Sequence, residues 1–262
     1  MKKLYSVFIL ILLVSLFPQS LSPQRNLKIL STVILDAGHG GKDPGAIGVN
    51  KTYEKDLNLK ITLKVKELLE NNYKDLNIVL TRSDDTFIEL QERGRIANEN
   101  GGNLFISIHC NSKKLDDPEQ KTGFEFYILD PKRLDKHLEL TLLQNLFLKD
   151  IKRNEEDSTI NFIKASSFIY SNYKYEERMA KILVKEFVKE TGLTNRGIKQ
   201  EPFVVLYGAS MPAVLVECGF LSNASDEAYL NSEKGLNNIA NAIYKSIRIY
   251  KMEYDFENNF YK

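Results

Sequence analysis

The chain has 262 residues, of which 43% are hydrophobic and 27% are charged, and its formal net charge is +1. This composition is typical of a globular protein, and the length suits one domain or one domain with an insertion. Such a chain buries enough apolar surface to fold without disulfides or metal, so a metal here is expected to serve chemistry. Its lysines are dispersed among acids, which gives no basic stripe and argues against nucleic acid as a partner.

Residues 1–22 have the pattern of an export signal. Two lysines precede an apolar stretch at residues 4–17, and Ser20-Leu21-Ser22 follows it. The stretch is shorter than the roughly 20 residues that a membrane span needs. Pro23 disfavours cleavage directly after Ser22, so an uncleaved membrane tether stays open beside a cleaved signal. Both alternatives predict an exported protein, periplasmic or extracytoplasmic, either secreted or anchored by this segment.

Strand-like and helix-like segments alternate from residue 32 onward. Apolar runs predict strands at residues 32–35, 77–81, 104–109, 123–129 and 213–217. Helical spacing of apolar residues predicts helices at 54–71, 90–100, 178–190 and 236–250. This alternation predicts an α/β domain over residues 28–251, with a mainly parallel or mixed central sheet flanked by helices. A short polar tail, 252–262, follows.

Residues 131–173 do not fit the alternation. A charged, helix-like part at 134–151 and a second helical pattern at 160–170 predict a helical insertion into the single domain. A connection of this length inside a compact domain is usually functional or mobile. A regulatory role and a passive surface hairpin both stay open.

Four polar residues carry the chemistry: His39, Glu54, His109 and Glu217. Three follow or end apolar runs, and functional residues of α/β sheets gather at the carboxyl ends of strands; Glu54 opens a helix. Two imidazoles and a carboxylate can hold zinc with one position open, and a further carboxylate, here Glu217, can act as base. Glu217 as a fourth ligand is the alternative. Asp36 is expected either to orient one histidine or to cap the loop after its strand.

Cys110 and Cys218 directly follow His109 and Glu217. Adjacent residues of a strand point to opposite faces of a sheet, so the cysteines are expected to face the core. Two buried apolar residues are the favoured interpretation. A disulfide between neighbouring strand ends is the alternative, because an exported protein meets an oxidising environment.

Together these segments resemble the zinc-dependent N-acetylmuramoyl-L-alanine amidases of bacterial cell walls. The matching stretches are residues 36–46, Glu54, 81–82, 90–93, 97–98, 107–111, 197–203 and 211–223. The resemblance covers residues 33–250 apart from 131–173.

The resemblance implies that His39, Glu54 and His109 bind Zn²⁺ and that Glu217 is the catalytic carboxylate. Asn111, at the end of one matching stretch, is expected beside the ligands. The implied reaction hydrolyses the amide between N-acetylmuramic acid and L-alanine of the peptidoglycan stem peptide. In some relatives an inserted helix places a carboxylate on the zinc until an activator displaces it, which suggests an activator protein as partner of residues 131–173.

Two other functions stay open. A catalytically silent wall-binding or regulatory homologue would keep the fold, although the four intact residues argue against it. A zinc peptidase that cuts within the stem peptide would use the same chemistry on another bond.

Overall fold

The computed structural model describes residues 29–113, 121–129 and 155–260, and in the last segment it describes side chains over 170–259. The strands are β1 (Thr32–Ala37), β2 (Asn77–Leu80), β3 (Leu104–Asn111), β4 (Phe124–Ile128), β5 (Asn195–Gln200) and β6 (Ala213–Phe220). The helices are α1 (Glu54–Asn72), α2 (Leu90–Glu99), α3 (Glu155–Thr191), α4 (Val204–Tyr207), α5 (Ala224–Asn231) and α6 (Glu233–Phe260).

The six strands form one mixed sheet in the order β2-β1-β3-β6-β4-β5. Strands β2, β1, β3 and β6 run parallel to one another, whereas β4 runs antiparallel to β6 and pairs in parallel with β5. The predicted fold class, an α/β domain with a mixed sheet flanked by helices, is confirmed. Because β4 is reversed, its first residues lie toward the carboxyl end of β6, with Glu125 opposite Glu217.

The two faces of the sheet are covered differently. The apolar face packs against α1, α3 and α6 and contains the larger core. Its strand residues include Val33, Leu35, Ile106, Ile108, Cys110, Phe126, Val216 and Cys218. The opposite face, here named the site face, packs against α2 and α4 through a smaller core. Its strand residues include Ile34, Phe105, Tyr127, Ala213 and Leu215.

The two cysteines lie where the alternation of the strands predicts. Cys110 and Cys218 are buried in the apolar face, and both are free thiols. Their preceding residues, His109 and Glu217, are partners in the parallel β3–β6 register and share the site face. The prediction of two small buried residues is confirmed, and the alternative of a disulfide is not what the structure shows.

Two helices are longer than predicted. Helix α3 is continuous from Glu155 to Thr191, whereas the sequence suggested two separate helices, because no glycine or proline interrupts this stretch. Helix α6 runs to Phe260, through most of the tail at 252–262. Within that tail Asp255 accepts hydrogen bonds from the Leu30 amide and the Lys251 ammonium group, which ties the end of α6 to the start of the domain.

Three elements were not predicted: β5, α4 and α5. Strand β5 is a polar edge strand with Ile198 as its one large apolar residue, so it lacks a strand-like hydrophobic pattern. Helix α5 does carry a local signal, since the Asn223 side chain caps it by accepting from the Ser225 and Asp226 amides.

Part of the sequence-based predictions lies outside the described residues. These are the signal or anchor at 1–22 and residues 131–154 of the proposed insertion; residues 155–173 belong to α3. Within the described residues, no helix combines the length and apolar character needed to cross a bilayer.

Candidate metal centre and its neighbouring carboxylates

The loop after β1 folds tightly around the first histidine. His39 has a φ of 61°, which is uncommon for a residue other than glycine and shows that its surroundings hold the backbone there. A Cβ on Gly38 would lie 2.2 Å from the His109 ring, and one on Gly45 would lie 2.6 Å from a Glu54 oxygen. Glycine at these two positions therefore lets the loop close over both side chains.

His39, Glu54 and His109 converge at the carboxyl ends of β1 and β3. Glu54 is the first residue of α1, and its two oxygens face the two imidazoles. His39 Nε2 lies 3.2 Å from Glu54 Oε2, and His109 Nδ1 lies 2.9 Å from Glu54 Oε1. One ligand atom from each residue lies within 4.8 Å of the other two. The structure thus brings the three predicted ligand residues into one group.

Further hydrogen bonds fix the orientation of this group. Asp43 Oδ2 lies 2.7 Å from His39 Nδ1, so Nε2 is the ring atom that faces Glu54. The Glu54 carboxylate accepts from the backbone amides of Ala46 (2.8 Å) and Cys110 (3.2 Å). A histidine held through its other nitrogen and a carboxylate held by amides are the supports that metal ligands usually have.

Glu54 and His39 each favour the charged form of the other. Burial acts to raise the pKa of Glu54, but hydrogen bonds from His109 and His39 outweigh it and hold that pKa well below its usual range. Burial acts to lower the pKa of His39, but Glu54 and Asp43 outweigh it and raise the pKa. A divalent cation among these three residues would replace the protons as the neutralising positive charge.

The sequence left two parts open for Asp36, orienting a histidine or capping the loop after β1, and the structure shows its contacts with three other side chains. Its buried carboxylate pairs with Arg93 at 2.7 Å and accepts from the Thr81 and Ser107 hydroxyls, and no described histidine contacts it. The expectation that Asp36 orients a histidine directly is therefore wrong. Arg93 in turn donates to the His39 carbonyl at 2.8 Å, so Asp36 supports the turn through a buried guanidinium.

Glu217 lies on β6 beside His109 but outside the three-residue group. Among the described residues, its Oε2 atom is buried and has no hydrogen-bond partner. Burial and the negative charge of Glu54 raise the pKa of Glu217 well above its ordinary value. The structure therefore places beside the three converging residues a carboxyl group that holds a proton more readily than an exposed one.

A second buried acid, Glu125, faces Glu217 across the β4–β6 pair. Glu125 accepts from Arg196 Nε at 2.8 Å, from Lys199 Nζ at 2.5 Å and from the Tyr127 hydroxyl at 2.5 Å. Burial acts to raise the pKa of Glu125, but these donors outweigh it and lower the pKa.

Asn111, predicted beside the metal ligands, lies near Glu125. Its Nδ2 is 3.5 Å from a Glu125 oxygen, at the limit of a hydrogen bond, and its own oxygen accepts from the Ser112 amide at 2.7 Å. The side chain therefore borders the Glu125 cluster.

Sequence reasoning missed three residues that shape this region: Asp43, Arg93 and Glu125. Asp43 lies four residues after His39 in the same glycine-rich run, and that proximity was an available signal. Arg93 and Glu125 gave no isolated signal, because only the sheet and α2 bring them to the site. Both are buried charges, and buried charges in folded proteins are almost always paired.

Comparison with known proteins agrees with this architecture. A model of the N-acetylmuramoyl-L-alanine amidase family, Amidase_3, matches residues 33–248. The N-acetylmuramoyl-L-alanine amidase AmiA of Escherichia coli (strain K12) is 32% identical over 222 residues, which span 83% of this chain and 75% of AmiA.

Solved structures of amidases share the fold. The catalytic domain of CwlV, from Bacillus (Paenibacillus) polymyxa var. colistinus, aligns with a TM-score of 0.64 and 36% identity over 84% of this chain and 97% of that one. The CwlD amidase of Clostridioides difficile, solved in complex with the GerS lipoprotein, aligns with a TM-score of 0.63 and 29% identity over 85% and 99%. The chain therefore belongs to the N-acetylmuramoyl-L-alanine amidase family, as its motifs predict.

Proposed function

We propose that this chain hydrolyses the amide between N-acetylmuramic acid and L-alanine of peptidoglycan stem peptides, with Zn²⁺ held by His39, Glu54 and His109 and with Glu217 as base and acid. The observation that carries the proposal is the convergence of three ligand atoms within 4.8 Å, with Glu217 on the neighbouring strand of the same face. Membership of the amidase family supports the choice of bond.

The residues present fit zinc. Two imidazole nitrogens and one carboxylate oxygen are a ligand set of catalytic zinc sites, which keep a further position open. Bound there, zinc would polarise the scissile carbonyl and lower the pKa of a water molecule toward ~7. Asp43 holds the His39 ring with Nε2 facing Glu54, and amides hold the Glu54 carboxylate, so the chain supplies a preorganised set of donors.

Glu217 suits the transfer of protons better than a place among the ligands. A carboxylate whose pKa lies above its ordinary value is a stronger base than an exposed one, so it can accept a proton from water and return it to the leaving alanine nitrogen. Among the described residues, the group of converging ligand atoms contains His39, Glu54 and His109 without Glu217. This arrangement favours the base over the alternative of a fourth ligand, which would close the coordination sphere.

The cellular setting is a further part of the proposal. The export pattern at residues 1–22 supports a protein that reaches peptidoglycan outside the cytoplasm, either secreted or tethered. An activator protein that acts on residues 131–173 is supported by the length of that segment and by the solved complex of CwlD with the GerS lipoprotein.

The product of the reaction tests the proposal. The purified, zinc-loaded protein is incubated with muropeptides, and the fragments are identified by mass spectrometry. We expect a free peptide that begins with L-alanine. A cut between stem amino acids would instead establish a zinc peptidase, and the absence of product from a zinc-loaded protein would favour a silent wall-binding homologue. Glu54→Gln is the control, because it should lower both zinc content and turnover.

A further inference from the structure

A row of polar side chains crosses the site face from the metal centre to the edge of the sheet. The register pairs His109 on β3 with Glu217 on β6, and Glu217 with Glu125 on β4. Arg196 on β5 continues the row through its hydrogen bond to Glu125. Residues opposite one another on neighbouring strands share a face, so these four side chains form one continuous strip across the site face.

The outer end of this strip carries excess positive charge. Arg196 and Lys199 both pair with Glu125, so two cations share one carboxylate. Their side chains are 26% and 38% exposed, whereas the Glu125 side chain is 2% exposed. The buried carboxylate therefore holds the two cations in place while they remain accessible to solvent.

Arg196 keeps donors for another group. Its guanidinium uses Nε for Glu125, and within the described residues its two terminal nitrogens make no hydrogen bond. The Phe220 ring lies 5.6 Å from the guanidinium carbon, and the Tyr127 ring lies 5.6 Å from Lys199 Nζ. Both distances are within the range of a cation–π contact, so each ring helps to hold its cation in place. A fixed guanidinium with unused donors matches the two oxygens of a carboxylate.

We infer that Arg196 and Lys199 form a subsite for a carboxylate of the stem peptide, on the leaving-group side of the scissile amide. This inference rests on the proposed function, because it takes the amide to be cleaved beside Glu217. The carboxyl of muramic acid is itself the acyl half of that amide, so the free carboxylates near the bond belong to the peptide.

The span fits the first residues of the stem. Arg196 lies two strands from Glu217, which is roughly 10 Å at the spacing of a sheet. An extended peptide covers roughly 3.3–3.6 Å per residue, so the anion lies within about three residues of the scissile amide. The side-chain carboxylate or free α-carboxylate of the second stem residue is the group we assign to the subsite.

The test compares two muramoyl peptides that are identical except that the second residue bears either a free carboxylate or a carboxamide. Binding is measured by calorimetry to zinc-loaded Glu217→Gln protein, which is expected to hold peptide without cleaving it. We expect the carboxylate form to bind about tenfold more tightly, as a charge-assisted hydrogen bond provides. Adding Arg196→Gln or Lys199→Gln should bring this ratio toward one. Lys185→Gln, on α3 behind the apolar face, is the matched control and should leave the ratio unchanged.

Each outcome has a definite meaning. A ratio near one for Glu217→Gln protein without a further substitution, or no binding of either peptide to it, overturns the subsite. Equal weakening of both peptides by Arg196→Gln, with zinc content and melting temperature unchanged, also overturns it, since the cation would then act only on its protein neighbours. Cleavage of peptide by Glu217→Gln would reject the proposed base while leaving the subsite testable, through the ratio of kcat/KM for the two peptides. If Arg196→Gln fails to fold, Lys199→Gln decides the matter.

Discussion

The two faces of the sheet use the same strands for different purposes. On the apolar face, side chains from β1, β3, β4 and β6 meet three long helices in a continuous core that includes Cys110 and Cys218. On the site face, the residues one position earlier, His109 and Glu217, border the candidate metal centre. Because successive side chains of a strand point to opposite faces, adjacent residues here serve different purposes: one packs in the core and the other borders the candidate metal centre.

The site face is itself divided along the strands. Helices α2 and α4 cover its apolar part, which includes Ile34, Phe105 and Leu215. Toward the carboxyl ends of β1, β3 and β6 the same face changes to Asp36, Ser107, His109 and Glu217. In a parallel sheet, sites form at the carboxyl ends of the strands, beyond the covering helices. Here polar and charged side chains occupy that region.

The largest expected effect is on turnover, and it should differ between two adjacent residues of β6, Glu217 and Cys218. Glu217→Gln should lower turnover by roughly 10²–10⁴-fold, because an amide cannot accept and return the proton. Zinc content and melting temperature should not fall, since the substitution is nearly isosteric and removes a buried acid. Cys218→Ala, one residue later on the apolar face, should keep turnover and lose stability. Turnover by Glu217→Gln close to the parent rate would reject the base.

A substitution on the apolar face should lower stability without affecting the metal centre. The Phe187 ring on α3 lies 5.1 Å from Phe124 and 5.0 Å from Phe126. Phe187→Ala should lower the free energy of unfolding by about 3–5 kcal/mol through lost burial and the cavity left behind. Val188→Ala, at an exposed neighbouring position, should change it by less than about 0.5 kcal/mol. Chemical denaturation measures both, and zinc affinity of the folded Phe187→Ala protein should be unchanged.

The sequence predicted the inner strands and the three converging residues because both depend on local signals. Short apolar runs before His39 and at His109 marked strand ends, which meet at one edge of a sheet, and the start of an amphipathic helical pattern marked Glu54. Edge strand β5 has no such run, and its role comes from Glu125, which is far away in the sequence. The pairing of Asp36 with Arg93 could likewise not be predicted from the sequence. It arises only because α2 packs on the sheet and brings Arg93 to Asp36.

A buried acid at the other end of the sheet should make stability depend on pH. Burial raises the pKa of Glu176 on α3 to about 8, against an ordinary value of 4.5. The folded state then binds more protons than the unfolded state between these values, so the free energy of unfolding falls as pH rises from about 4.5 to about 8. Glu176→Gln stays neutral and should be more stable than the parent by up to about 4 kcal/mol at pH 8, with little difference at pH 4.

Denaturant titrations at several pH values measure this slope. Glu177→Gln, at the next and more exposed position of α3, is the control and should keep the parent's pH dependence. A parent slope that persists in Glu176→Gln would assign the pH dependence to another group.

The smallest expected effect concerns the support of the metal centre. Asp43 holds His39 Nδ1 at 2.7 Å and also accepts from the Gly45 amide at 3.0 Å. Asp43→Ala should lower zinc affinity by roughly 10–100-fold, because the ring loses the partner that fixes its orientation. Competition with a chelator measures the affinity, and Asp75→Asn, at an exposed turn before β2, should leave it unchanged. Asp43→Asn should fall between parent and alanine, since its amide oxygen still accepts from the ring. If Asp43→Ala bound zinc as tightly as the parent, the orientation of His39 would have to come from its strained backbone and the Arg93 contact alone.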